Sequence, residues 1–457
     1  MRTESDALGK IKLPKDALYG ISTSRSMSYF DIGESLIPHG FIQVYAKIKH
    51  SAAVANYQLK LIDQQTSETI QTVCQEIIDG QHLEAFTLSV WQSGSGTQTN
   101  MNVNEVIANR ANQLLGHPLG QKAPIHPNDH VNLSHSSNDS FPSCMHIYAL
   151  QLIEESLQPS LNYLRQTLIQ KIKEFSGTKH LARTHLQDSL PIDFKTNFQS
   201  YLAFVDQTIE SLHDISEQLS ELPIGGTAVG TGFGAPKNFA RAIISELSKT
   251  TQFPLRTSQN PSIAMSQHQA LLNFSGVMNN FAACYHKMVN DIRLLGSGPK
   301  AGLGELILPQ NELGSSIMPG KVNPTQCESA AMICIHVSTG HNAITTACSF
   351  GHFELNTYKP LILHYIHRSC IDLADSIQSF TTHCLKDLSV NHKVCDNNIS
   401  QSLMLVTALR PKIGYDQCAQ IATYAYQQDM SLRTAAIELG ILSQDELDQL
   451  LDLRQFE

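Results

Sequence analysis

The chain has 457 residues, is 42% hydrophobic and 16% charged, and carries a formal net charge of −9. Its length predicts about two to three domains, and its negative balance argues against a general nucleic-acid or membrane-surface role. No window approaches the run of roughly 20 apolar residues that spans a bilayer.

The N-terminus, Met1-Arg2-Thr3-Glu4-Ser5-Asp6, is polar and acidic, unlike a secretory or transit segment. Ten cysteines run from Cys74 to Cys418 without a CxxC pair. They read as reduced, mostly buried thiols with no zinc or iron–sulfur spacing. The expectation is a cytoplasmic protein without a metal or other cofactor.

Short strands are expected only near the N-terminus and around Leu306-Ile307-Leu308. The first unusual stretch is Ser93-Gly94-Ser95-Gly96-Thr97-Gln98-Thr99-Asn100. It reads as a tight turn, or as a place where glycine lets the backbone approach a ligand closely. His126-Pro127-Asn128-Asp129 reads first as an Asn/Asp turn after proline. In Asn132-Leu133-Ser134-His135-Ser136-Ser137-Asn138-Asp139, hydroxyls stand where a helix begins. Plain capping by Ser137, Asn138 or Asp139 is one reading, and an anion site at the helix start is the other.

Apolar steps of three and four then mark long helices. One face is Leu150, Ile153, Leu157, Leu161, Leu164, Leu168 and Ile172, with a kink or break predicted at Pro159. A second runs from Phe198 through Leu202, Val205, Ile209, Leu212, Ile215 and Leu219 to Leu222. A third is Met278, Phe281, Tyr285, Met288, Ile292 and Leu295. Such stripes bury themselves against one another, so the middle of the chain reads as a helical bundle. Between them lie Arg183-Thr184-His185-Leu186-Gln187-Asp188 and the glycine-rich Gly225 to Gly232. A lone histidine such as His185 is more often structural than catalytic.

The most informative segment is Gly314-Ser315-Ser316-Ile317-Met318-Pro319-Gly320-Lys321-Val322-Asn323-Pro324. Glycine and proline make it a polar loop rather than a helix or strand. It is not a phosphate-binding P-loop, because five residues separate its glycines and Val322 follows the lysine. Glu328 falls on the helix expected after Pro324. A carboxylate there would orient an imidazole such as His185 for acid–base work if the fold joined them. Cys327 reads as buried rather than nucleophilic. Shorter helices follow from about Asn391, with Ser caps at Ser431 and Ser443 and a capping-box Glu446.

Gly314 to Pro324 resembles the signature of the fumarase/aspartase superfamily, and the continuation Thr325-Gln326-Cys327-Glu328 is similar to its class II fumarase branch. Trp91 to Asn102, Ser136 to Pro142, Arg183 to Asp188, Gly225 to Gly232 and Ser402 to Asp416 extend the likeness over essentially the whole chain. The resemblance implies a mainly α, three-domain fold whose central long helices form a twenty-helix core in a homotetramer. The domains expected are 1–135, mostly helical; 136–390, the long-helix bundle; and 391–457, a small helical domain. Each active site would be shared by three subunits. The implied activity is metal-independent, reversible hydration of fumarate to L-malate, and the partners are a small dicarboxylate and further copies of the chain. Aspartate ammonia-lyase, or another dicarboxylate lyase on the same scaffold, is the alternative.

By the same resemblance Ser315 is the base, and His185 with Glu328 assists departure of the hydroxyl. Ser316, Lys321 and Asn323 hold a substrate carboxylate, while Ser95, Gly96, Thr97, Ser136, Ser137, Asn138 and Thr184 complete the pocket. His126, Asn128 and Asp129 correspond to a second dicarboxylate site, where Ala123 replaces a usual arginine. Two further departures stand out. Gly298-Pro299-Lys300-Ala301-Gly302 carries lysine for the family's arginine, and Asn260 to His268 lacks the family's acidic pattern. A helix-packing or subunit-contact change is the mundane reading of that last segment.

Overall fold

The computed structural model describes residues 1–452 and is mainly α-helical, with strands only in two-stranded pairs. The described chain divides into two compact units. The first comprises Met1–Pro159, Thr208–Ala282 and Ile335–Ala374; the second comprises Ser160–Gln207, Ala283–Cys334 and the residues from Asp375 onward. Among the described residues no helix is long and apolar enough to cross a membrane.

In the first unit the helix His39–Gln58 is the hub. It packs on the helices Gln64–Ile78, Ser137–Leu152 and Phe239–Thr251. Phe41, Val44, Tyr45 and Ile48 are fully enclosed, each such side chain contributing about 1.5–3 kcal/mol. Gln64–Ile78 follows the amphipathic rule, burying Ile70, Val73, Cys74 and Ile77 on one face after an Asp63 cap that accepts from Thr66 N.

The long stripes are helices, Phe194–Leu219 and Gln269–Leu295, which bury most of their apolar steps; the second expected stripe overshoots, because Leu222 lies in a two-residue strand, Glu221–Leu222, paired parallel with Arg256–Thr257. The predicted interruption near Pro159 takes a specific form. A π-helical turn, Ile153–Leu157, joins Ser137–Leu152 to Gln158–Glu174, with Pro159 at the start of the latter. Proline has no N–H and its ring crowds the carbonyl four residues back, so the turn widens there.

In the second unit, Leu306–Ile307 pairs antiparallel with Ser389–Val390. Ile399, Leu405, Leu409, Ile421, Leu432 and Leu447 form a small separate core. Ser431 and Ser443 cap their helices as expected, and Glu446 closes the box at Ser443. The longest strand pair to escape the sequence reading is an antiparallel hairpin, Lys179–Thr184 with Gln187–Asp193. Its turn is His185-Leu186, both at positive φ (56° and 62°). Such turns normally advertise themselves by Asn-Gly or Asp-Gly, so the hairpin left no turn signal.

Candidate active site

In the first unit, the start of the helix Thr97–Leu114 meets the start of the helix Ser137–Leu152. Gly96 precedes the former at φ 77°, and a Cβ there would lie 2.2 Å from the Phe141 ring. The close approach that requires glycine is thus to Phe141. It lets four hydroxyls line up: Ser93 Oγ to Ser95 Oγ at 3.0 Å, Ser95 Oγ to Thr97 Oγ1 at 2.8 Å, and Thr97 Oγ1 to Ser137 Oγ at 2.8 Å.

The cap of the second helix is Ser136, one residue earlier than the capping expectation. Ser136 Oγ accepts from Asn138 N at 3.1 Å, and Asp139 Oδ1 accepts from Ser136 N at 2.8 Å. Asp139 is fully buried, and its other oxygen accepts from Gly225 N at 3.0 Å and Thr227 N at 2.8 Å. Asn138 Nδ2 donates to Ala228 O at 2.9 Å. One carboxylate therefore joins the cap to the glycine-rich loop. Burial pushes this carboxyl up to about 7, against the three N–H groups and the Lys49 charge that pull it down.

Lys49 was not singled out by the sequence, yet it fastens this region. Its Nζ, fully enclosed, donates to Asn100 Oδ1 (2.7 Å) and Asn132 Oδ1 (2.9 Å) and meets His135 Nε2 at 2.8 Å. His135 Nδ1 faces Leu133 O at 2.9 Å, which fixes the proton there and leaves Nε2 to accept. Burial pushes the Lys49 amine down to about 7 and the His135 imidazole well below its usual value. The only sequence signal was a lysine on the buried face of an apolar helix.

In the second unit, Thr184 ends its strand and His185 stands exposed in the hairpin turn. Arg183 anchors the hairpin through paired bonds to the fully buried Glu305, Nη2–Oε1 at 2.7 Å and Nη1–Oε2 at 2.9 Å. Asn398 Nδ2 adds a third bond at 3.0 Å. These donors, with His180, hold Glu305 at about 2, overcoming the burial that acts in the opposite direction. Glu305 and Arg183 form an ion pair that spacing did not reveal.

The Ser315 loop is half in solvent. Ser315 Oγ accepts from Ile317 N (3.3 Å) and Met318 N (3.1 Å), an arrangement that favours negative charge on the oxygen. Asn323 Nδ2 closes the loop on Gly314 O, and a Cβ on Gly314 would lie 2.0 Å from Lys321 O. Lys321 and Asn323 line a cavity of about 530 Å³ with Asn290 and Arg293. Ser316 is exposed. Glu328, in the first turn of the helix Thr325–Ser349, faces Arg293 at 3.5 Å within the chain. No His185–Glu328 contact forms within one chain. Cys327 is buried, 1% exposed.

The His126 segment is a short π-helical turn, Pro127–Val131. His126 Nδ1 accepts from Asn128 N and Asp129 N, each at 3.2 Å, and lies 3.3 Å from Asp129 Oδ2.

A family model described as "Lyase" matches residues 9–339, and one described as "Fumarase C C-terminus" matches 405–456. The chain is 45% identical to a class II fumarate hydratase of Thermosynechococcus vestitus, over 98% of this chain and 96% of that one. It is 44% identical to a mitochondrial fumarate hydratase of Rhizopus oryzae, over 98% and 91%. Among solved structures, class II fumarase from Schistosoma mansoni superposes with a TM-score of 0.96 at 38% identity, over 99% of this chain and 98% of that one. A fumarate lyase:delta crystallin from Brucella melitensis bound to cobalt gives 0.96 at 36%, over 99% of each chain.

Proposed function

The chain belongs to the class II fumarase family of lyases, and from that premise we propose that it catalyses the reversible hydration of fumarate to L-malate. In the malate direction Ser315 takes the weakly acidic proton from the carbon beside a carboxylate. The electron pair moves into that carboxylate as an aci-carboxylate dianion, and the hydroxyl on the neighbouring carbon leaves as water, protonated with the help of His185 and Glu328. Charge grows on the carboxylate during this step, so fixed donors must act more strongly on the intermediate than on the substrate. Ser316, Lys321 and Asn323 supply them on the loop. Ser95, Thr97, Ser136, Ser137, Asn138 and Thr184, with the Gly96 backbone, complete the pocket.

The observation that carries this reading is the Ser315 oxygen receiving two backbone N–H groups from its own loop. A serine hydroxyl is a poor base in water, and those donors stabilise the alkoxide it must become. His126, Asn128 and Asp129 form a second dicarboxylate site in this reading, weakened by Ala123.

The active enzyme is a cytoplasmic homotetramer whose sites draw on three chains. Supporting this are Leu313 (91% exposed) and Ile317 (83%) on the loop, large apolar groups uncovered in a single chain. Mixing inactive Ser315→Ala and His185→Asn chains tests the sharing. Random tetramers would regain about a quarter of wild-type activity if each site takes these residues from different chains; no recovery would place both on one chain. The reaction itself is tested by ultraviolet absorbance of the fumarate double bond. A fall with fumarate and a rise with L-malate, without response to L-aspartate, is expected. A rise only with L-aspartate would move the chain to the ammonia-lyases.

A further inference from the structure

The first unit also holds an open cavity of about 690 Å³, to which none of the residues assigned to the reaction contributes. Its floor is apolar: Leu150 and Ile153, then Ile209 and Leu212, then Phe253 and Pro254 from the loop after the helix Phe239–Thr251. Ile153 and Glu154 enter the wall from the π-helical turn Ile153–Leu157, a widened turn of the kind that recurs at functional sites. A concave, mostly apolar space of this size with a few polar groups is the usual form of a small-molecule site.

The polar groups narrow the ligand. Glu154 and Glu217 line the cavity and both are exposed, so their oxygens are open to a solute. Neither forms an ion pair among the described residues. Ser216 Oγ and Ser220 Oγ, also in the wall, donate to Leu212 O and Ser216 O at 2.8 Å each. Their protons are therefore in use, and they offer only lone pairs. Arg256 is the one fixed cation of the wall, and its Nε donates to Glu221 Oε1 at 3.1 Å, which matches its charge. His213 is exposed at the edge, and a neutral imidazole there adds one more acceptor. Glu210 and Asp214, on the same stretch of helix, are two further exposed carboxylates. An anion would meet carboxylates and lone pairs, and the Gln158 amide is the only uncharged donor among the lining side chains besides that imidazole. An ammonium group has three protons to give and nothing to accept. Attached to an apolar body, it would satisfy the carboxylates while the body covers the floor.

We propose that this cavity binds a primary amine carried on an apolar body, its ammonium held by Glu154 and Glu217. The probe is 2-phenylethylamine, protonated at neutral pH, followed by saturation-transfer NMR on the full protein with excess succinate to occupy any dicarboxylate site. Its uncharged and anionic counterparts are 2-phenylethanol and 3-phenylpropionate. A saturable signal is expected for the amine, a weaker one for the alcohol and none for the anion. Glu154→Gln combined with Glu217→Gln should weaken the amine about tenfold, the scale of two exposed ion pairs. The same double variant should leave the alcohol unchanged, which shows that the floor is intact. Ser216→Trp, which sets an indole in the cavity wall, should abolish both signals. Absence of a saturable amine signal from the wild-type chain, as a mouth covered by another copy would give, overturns the proposal. So does amine binding that survives Ser216→Trp, or that is equal with and without the two carboxylates. Binding of 3-phenylpropionate as tight as that of the amine would overturn the cationic class of ligand.

Discussion

Two polar clusters, one in each unit, carry similar groups on opposite kinds of support. Around Ser95, Thr97 and Ser137, each backbone segment is tied to a buried charge. Asp139 holds three N–H groups of the cap and the glycine-rich loop, and Lys49 holds Asn100, Asn132 and His135. The Ser315 loop rests on its own backbone, an Asn323 clasp and little else, with Ile317 and Leu313 in solvent. The first cluster is preorganised by a core; the second is exposed and held by few contacts. Donors fixed in advance cost nothing to reorganise as charge grows on a bound anion, while in the proposed reaction an exposed base leaves room for substrate to enter.

The sharpest way to break this contrast is Ser315→Ala. Turnover should fall about 10³-fold, the scale of a lost general base, with the melting curve unchanged because the loop supports no core. Near-normal turnover would remove Ser315 from the base role. Asp139→Ala should do the reverse in kind, destabilising the fold by about 3 kcal/mol or more in denaturant titration, since it strands three backbone donors that the carboxylate holds. A loss below about 1 kcal/mol would mean the cap is not held by this carboxylate. Lys321→Met should raise KM about tenfold or more, the worth of one charged hydrogen bond, and unchanged KM would contradict its role. Thr97→Val should cost only about 1 kcal/mol in stability or binding.

Least visible at neutral pH is the Arg183–Glu305 anchor. Its carboxyl titrates lower in the folded chain (about 2) than its ordinary value of 4.5. The stabilisation is therefore complete above the ordinary value and disappears as pH falls from about 4.5 toward 2. Arg183→Met should flatten that acid limb of the stability profile; an identical limb would show that the pair is not what holds Glu305.

Much of the framework could be read from the residues alone. The stripes from Phe198 and Met278, the Ser431 and Ser443 caps, the Leu306 strand and burial of Cys327 all follow from local period or capping chemistry. What escaped depended on distant partners. Arg183 and Glu305 are 122 residues apart in sequence, so no spacing announces their pairing. Lys49 stands among apolar residues with nothing nearby in sequence to pair it, since its three polar partners are each 51 or more residues away. The helix cap lies at Ser136 rather than its neighbours because Asp139, three residues on, closes the box and also reaches Gly225 and Thr227.

The row of hydroxyls from Ser93 to Ser137 has one further property. A hydroxyl can give its proton and accept another, so the row has two senses, with every proton pointing one way or every proton pointing the other. A single acceptor settling at one terminus selects the sense for all four at once, over three successive short bonds. The serine and threonine side chains thus behave as one reversible dipole, whose direction is written by whatever oxygen arrives at its end.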